Sequence, residues 1–161
     1  MDNILVKKTG SKGEGVFAAR DFKKGEFILD YNGKIVEGKD ADNIPDYWCN
    51  HLATVGLNKY ILFEGPAKYI NHSCSPNVYD KNKKVYTMKS IKKGDELCFD
   101  YSISGIDDWK MKCKCGSKNC RKIISGVFFK LPKALQKKYI PYLDSWFKKS
   151  FSREIDELKD S

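Results

Sequence analysis

Apolar residues run along this chain in short stretches broken by turn residues, with no long helical repeat in the first two thirds. The stretches Ile4–Lys8, Gly15–Ala19, Glu26–Tyr31, Lys34–Gly38, Lys59–Glu64, Lys84–Ile91 and Glu96–Tyr101 are rich in Val, Ile, Tyr and Phe, and Gly13, Gly15, Gly25, Gly33, Gly65 and Gly94 punctuate them. That pattern predicts several small antiparallel sheets, because a βαβ array would need helical segments between its strands. After Gly126 the period changes. Leu131, Leu135, Tyr139, Tyr142, Leu143, Trp146 and Phe147 recur at helical spacing, with Pro132 and Pro141 at first-turn positions. The expectation is a pair of C-terminal helices on a mainly β body.

Length and composition narrow the picture. A chain of 161 residues with 41% hydrophobic content buries one ordinary core, so a single domain with an appendage is expected. No apolar run is long enough to span a bilayer, and the start MDNILVKKTG has no secretory core. No membrane association is expected, and the setting read from this is cytoplasmic or nuclear, with a secreted effector lacking a readable signal as the exported alternative. The compact length leans towards a prokaryotic or viral source. In a reducing compartment the six cysteines serve better as metal ligands than as disulfides.

Charge is placed unevenly. The formal net charge is +9, and from Trp109 to Leu143 the chain holds Lys110, Lys112, Lys114, Lys118, Arg121, Lys122, Lys130, Lys133, Lys137 and Lys138 without one acid. Such a stretch is either a solvated face or the footprint of an anionic partner such as nucleic acid.

Within it lies CKCGSKNC, which supplies Cys113, Cys115 and Cys120. Three thiols this close in sequence disfavour mutual disulfides and suit one tetrahedral Zn²⁺, at about 2.3 Å per sulfur. A closed site needs a fourth ligand, and spacing leaves Cys49, Cys74, Cys98, His51 and His72 open. Cys98, between Leu97 and Phe99, reads most simply as a buried small hydrophobe, and Cys49 follows Tyr47 and Trp48 on what reads as a short helix.

Four segments, in order, carry a resemblance. KGEGVFAARDFKKGEFILDYNG, YINHSCSPN, KKGDELCFDY and CKCGSKNCRK together resemble the SET-domain protein lysine methyltransferases with a post-SET zinc segment, over about Ile4 to Ile124. The resemblance implies a SET fold with a pseudoknot, divided into a SET domain at 1–104, a post-SET zinc segment at 105–126 and a C-terminal helical extension at 127–161. It implies S-adenosylmethionine and zinc as cofactors, with Cys74 completing Cys113, Cys115 and Cys120. It also implies that Gly13, Glu14, Gly15, Asn71 and His72 hold S-adenosylmethionine, that Tyr101 places its phenol beside the transferring methyl, and that Tyr31 and Tyr79 line the lysine channel. Phe99 stands where Phe or Tyr tunes the number of methyl groups, and Phe implies multiple methylation. Two positions differ from the family: Lys68 replaces a common Arg, and Arg121 is followed by Lys122 and Ile123 where Gly and an aromatic are usual.

The chemistry agrees with these residue types. An amine of pKa about 10.4 must be made neutral to accept a methyl group, and an apolar aromatic channel does this by desolvation, without a strong general base. The partner expected is a protein or peptide carrying a target lysine. A second class remains open on the same residues: a zinc-containing nucleic-acid or chromatin binding module on a degenerate SET fold.

Overall fold

The computed structural model describes residues 3–45 and 51–160. Its body is built from four small sheets. β1 (Ile4–Lys8) and β2 (Glu14–Ala18) pair antiparallel; β2 takes β10 (Glu96–Phe99) on its other edge, and β10 takes β7 (Asn71–His72). β3 (Phe27–Asp30), β9 (Lys84–Thr87) and β8 (Val78–Lys81) form the second sheet, β4 (Gly33–Glu37), β6 (Lys59–Phe63) and β5 (Leu52–Gly56) the third, and β11 (Ile106–Lys112) with β12 (Ile123–Val127) the fourth.

One pairing departs from the antiparallel expectation. β7 lies parallel to β10, with Cys98 opposite Asn71 and Phe99 opposite His72. The β8–β9 hairpin turns the chain back so that β10 re-enters in the direction β7 left. Asn77 fastens this crossing from three sides. Its Nδ2 donates to the Glu96 carbonyl at 2.8 Å, its Oδ1 accepts from Cys98 N at 2.8 Å, and its carbonyl accepts from Met88 N at 2.8 Å. β10, enclosed between β2 and β7, buries Leu97, Cys98 and Phe99 in succession, which is why its sequence is an unbroken apolar run.

Two cores result. Val16, Ile28, Ile61, Val78, Val85 and Leu97 centre the first, inside the sheets; Phe128, Tyr139, Leu143, Phe147 and Ile155 centre the second, beneath the C-terminal helices. Those helices number three, not two: α1 (Lys133–Tyr139), α2 (Ser145–Ser150) and α3 (Ser152–Asp160). Pro141 divides the first part of the predicted pair, since it has no N–H to return to Lys137 and its ring clashes with that carbonyl. Asp144 then starts α2, its side chain accepting from Trp146 N at 3.1 Å. Phe151 leaves helical geometry at φ −123° and separates α2 from α3. The boundary expected at residue 126 falls inside β12, which closes the hairpin with β11.

Candidate active site and metal centre

β10 ends at Phe99, and the residues on either side of that end organise the site. A cavity of about 410 Å³ opens here, walled by Tyr31, Phe63, Ile70, Phe99, Tyr101 and Trp109 among others. Tyr31 meets Phe63 edge-on at 4.7 Å between ring centroids and Phe99 at 6.1 Å. These rings give the wall an apolar, aromatic lining of the kind that favours a neutral over a charged amine. Tyr101 donates its hydroxyl to the Ile70 carbonyl at 2.8 Å, and burial raises its pKa. Its phenol therefore stays protonated and acts as a fixed hydrogen-bonding group.

Gly13, Glu14, Gly15, Asn71 and His72 do not line this cavity; Asn71 and Gly15 meet at Glu96, with Gly13 on the loop just before β2 and His72 the next residue along β7. Asn71 Nδ2 donates to the Glu14 carbonyl and to Glu96 Oε1, both at 2.9 Å, while Glu96 Oε2 pairs with Lys12 at 2.6 Å. Gly15 is buried where a Cβ would strike Thr9 and Glu96, so no other residue fits without displacing them. Gly13 has φ +76° and open space where a side chain would stand, which leaves the outer face of the loop accessible to a ligand. Burial pulls the His72 pKa down to about 4 against the field of Asp100, so the ring is neutral. Its Nδ1 accepts from Tyr101 N at 3.2 Å, which links this group to the cavity.

The cysteines meet on the next layer out. The sulfurs of Cys74, Cys113, Cys115 and Cys120 all lie within 4.8 Å of one another, and Cys74 Sγ is 3.7 Å from Cys113 Sγ. A regular tetrahedron with metal–sulfur bonds of about 2.3 Å has sulfurs about 3.8 Å apart, so the set fits Zn²⁺. Burial pushes the Cys113 thiol up to about 12, while Cys115, against burial, is brought down to about 6 by the Ser117 hydroxyl and neighbouring backbone. Thiols this close cannot all ionise without a cation between them. Cys98 lies outside the cluster, buried in β10, its thiol pushed up to about 12 by burial. Cys49 lies outside the described residues.

One buried charge ties the metal loop to the site. Asp100, with no exposed side-chain surface, receives both Arg121 guanidinium nitrogens at 2.7 Å and the Tyr139 hydroxyl at 3.0 Å. Arg121 N in turn donates to Cys74 Sγ at 3.4 Å. The residue next to Tyr101 thus holds the cysteine loop and α1 in one network.

Tyr79 is a correction. It packs against Tyr86 and Tyr142, at 5.7 and 5.0 Å between centroids, on the side of the second core, and does not line the cavity. Successive residues of a strand point to opposite faces, and on β8 the cavity face belongs to Asp80. Sequence reasoning also missed Glu96, Asp100 and Trp109. The first two sit inside the GDELCFDY motif, where only the tyrosine and the apolar residues drew a role.

Residues 13–102 match the SET domain family, and the chain belongs to it. It is 33% identical over 138 residues to human Histone-lysine N-methyltransferase 2D, covering 75% of this chain and 2% of that protein. It is 31% identical over 140 residues to Histone-lysine N-methyltransferase, H3 lysine-36 specific, of Saccharomyces cerevisiae, covering 76% of this chain and 19% of that protein. The chain therefore spans only a small part of these relatives. In fold it resembles Arabidopsis thaliana SUVH6, solved in complex with SAM, with a TM-score of 0.63 at 24% identity, over 74% of this chain and 32% of that one.

Proposed function

We propose that this protein is an S-adenosylmethionine-dependent protein lysine N-methyltransferase acting on a histone or another protein lysine. The observation that carries it is Tyr101: a half-buried, protonated phenol fixed on the Ile70 carbonyl at 2.8 Å, with the aromatic cavity on one hand and the His72–Asn71 group on the other. The relatives' names carry the reaction and the histone substrate, and a histone substrate would place the protein in a nuclear or other intracellular setting.

Asn71, His72 and the open face of Gly13–Gly15 would hold S-adenosylmethionine, which when bound supplies an electrophilic methyl group. The rest falls to the chain. Tyr31, Phe99 and Trp109 exclude water around the lysine side chain, and desolvation lowers the pKa of its amine towards neutrality. Tyr101 orients the reacting centre by hydrogen bonding and does not act as a base. Phe99 offers no hydroxyl to hold a water in the cavity, which leaves room for successive methylation. Zinc would be structural, holding the loop from Cys113 to Cys120 against the site.

Purified protein with labelled S-adenosylmethionine and a histone mixture tests this. Wild type should label a protein band, and Tyr101→Phe should lose on the order of a hundredfold in rate. Labelling of no band, or equal labelling by Tyr101→Phe, rejects the reading and favours a binding module.

A further inference from the structure

Three carboxylates line the cavity: Asp80, Asp100 and Asp107. Two are committed to internal partners. Asp100 is neutralised by Arg121, and Asp107 accepts from Thr54 Oγ1 at 2.6 Å and from the Tyr60 hydroxyl at 2.9 Å. Asp80 differs: among the described residues neither a cation within ion-pair distance nor a side-chain donor meets its carboxyl, which is satisfied only by its own backbone N–H. It extends from β8 into a wall otherwise made here by Tyr31, Phe99, Tyr101 and Ile103. An unpaired carboxylate beside aromatic rings is costly unless the site is meant to receive a cation.

We infer that Asp80 receives the target lysine: its carboxylate pairs with the incoming ammonium in the cavity and takes one proton from it. The inference rests on the methyltransferase reading above and deepens it. The N–H bond breaks with its electron pair left on nitrogen, an O–H bond forms on Asp80, and a charged pair becomes a neutral one in an apolar wall. The lone pair on nitrogen is what methyl transfer consumes, and the proton on Asp80 passes to water when the product leaves.

Burial, with Asp144 adding to it, raises the Asp80 carboxyl to about 7, close to the value a proton acceptor needs near neutral pH. The groups that share its surroundings are Tyr31 at the end of β3, Asp144 ahead of α2, Asp100 and Tyr101 beyond β10, Lys68 in the 3₁₀ turn Pro66–Tyr69, and Asp107 and Lys110 on β11. Neither lysine is paired with Asp80, and burial raises the pKa of both tyrosines, which keeps their phenols protonated.

The pH profile of kcat/KM for a lysine peptide separates this role from a structural one. In wild type the carboxylate is lost below pH about 7, so kcat/KM should fall about tenfold per unit there and run level above, towards the lysine pKa of about 10.4. Asp80→Asn should lose on the order of a hundredfold at pH 7.4 and rise steadily with pH through that level region, because it must await lysine that is already neutral. Asp80→Glu should restore the level region. Binding of n-butylammonium chloride, followed by NMR, gives a readout independent of turnover: at least about tenfold tighter to wild type than to Asp80→Asn, and weakening below pH 7. Asp80→Ser serves the same comparisons if Asp80→Asn does not fold. Superimposable pH profiles, or equal butylammonium binding by wild type and variant, overturn the inference. If wild type methylates nothing, the proposed activity fails, and the butylammonium titration still decides on Asp80.

Discussion

The two segments that follow Tyr101 and Ser102 are attached to the body by different physics. Between Cys113 and Lys122 there is no strand or helix, and the cysteines are only half-buried; this loop meets the body through sulfur atoms and through Arg121 to Asp100. Beyond Val127 the chain does the opposite, burying Phe128, Leu143 and Phe147 completely in the second core, against Met88 and Ile103 of the preceding chain. A loop without apolar side chains to bury cannot offset its ordering entropy by packing and needs a metal. A helical segment rich in Phe and Leu needs none. Order over the site is thus conditional on one side and permanent on the other, and the same buried Asp100 touches both.

Metal removal should break this contrast most visibly. Binding energy at a structural zinc site is folding energy, about 10–16 kcal/mol where the fold depends on it wholly. Here it should act on the loop alone. Purified protein should carry about one zinc per chain. Chelation, or Cys113→Ser, should abolish methyl transfer and let amides 113–122 exchange freely, while the β body melts close to the untreated temperature. Parallel loss of the body on chelation would show that the two attachments are not separate, and full activity without zinc would remove the metal from the picture.

The reciprocal test cuts the second core. Phe147 is fully buried, stacked on Phe129 at 5.6 Å and against Phe128 and Phe151 at 5.3 and 4.6 Å between centroids. Phe147→Ala should cost about 3–5 kcal/mol, read as a shift in the denaturation midpoint. Zinc content should stay unchanged under native conditions. Loss of zinc from the folded variant would mean that the helices, through Tyr139 and Asp100, hold the loop as well.

The sequence is legible where physics is local. The Val- and Ile-rich runs form β1, β2, β3, β4, β6, β9 and β10 with ends shifted by a few residues, and the spacing marks three cysteines, Cys113, Cys115 and Cys120, to which the fold brings the fourth sulfur, that of Cys74. Strands whose pairing compensates for weak propensity are not legible. β7 is the dipeptide Asn71–His72, a strand only because β10 runs beside it, and β11 reads IDDWKMK, with most of its residues exposed. No apolar run marks β8, so its alternation stays hidden in the sequence, and the resemblance gives Tyr79 the face that Asp80 holds. Lys122 carries a meaning that spacing alone does not show: it has φ +66°, the left-handed region, at the position where the family usually has Gly.

The smallest effect concerns the positive charge, which the two segments share. An enzyme whose substrate is a basic protein gains nothing in encounter from added cations, so the charge makes most sense against nucleic acid bound to that substrate. The two segments contribute unequally. Lys130 is already paired with Asp108 at 2.7 Å, whereas Lys133, Lys137 and Lys138 project from α1, exposed and without acid partners among the described residues. The cysteine loop's lysines surround a four-thiolate zinc site of about −2, which cancels part of their field. Changing Lys133, Lys137 and Lys138 together to Ala should therefore weaken DNA retention nearly as much as the quadruple change that includes Lys130. For every phosphate that a removed lysine had neutralised, the slope of log affinity against log salt should become shallower by about 0.9. Exposed lysines leave stability within about 0.5 kcal/mol and methylation of a free peptide unaltered. If wild type is not retained on heparin or labelled DNA at about 50 mM salt, the segment is a solvated face. If only the quadruple variant loses binding, Lys130 is the residue that meets the phosphate, and its pairing with Asp108 yields to that anion.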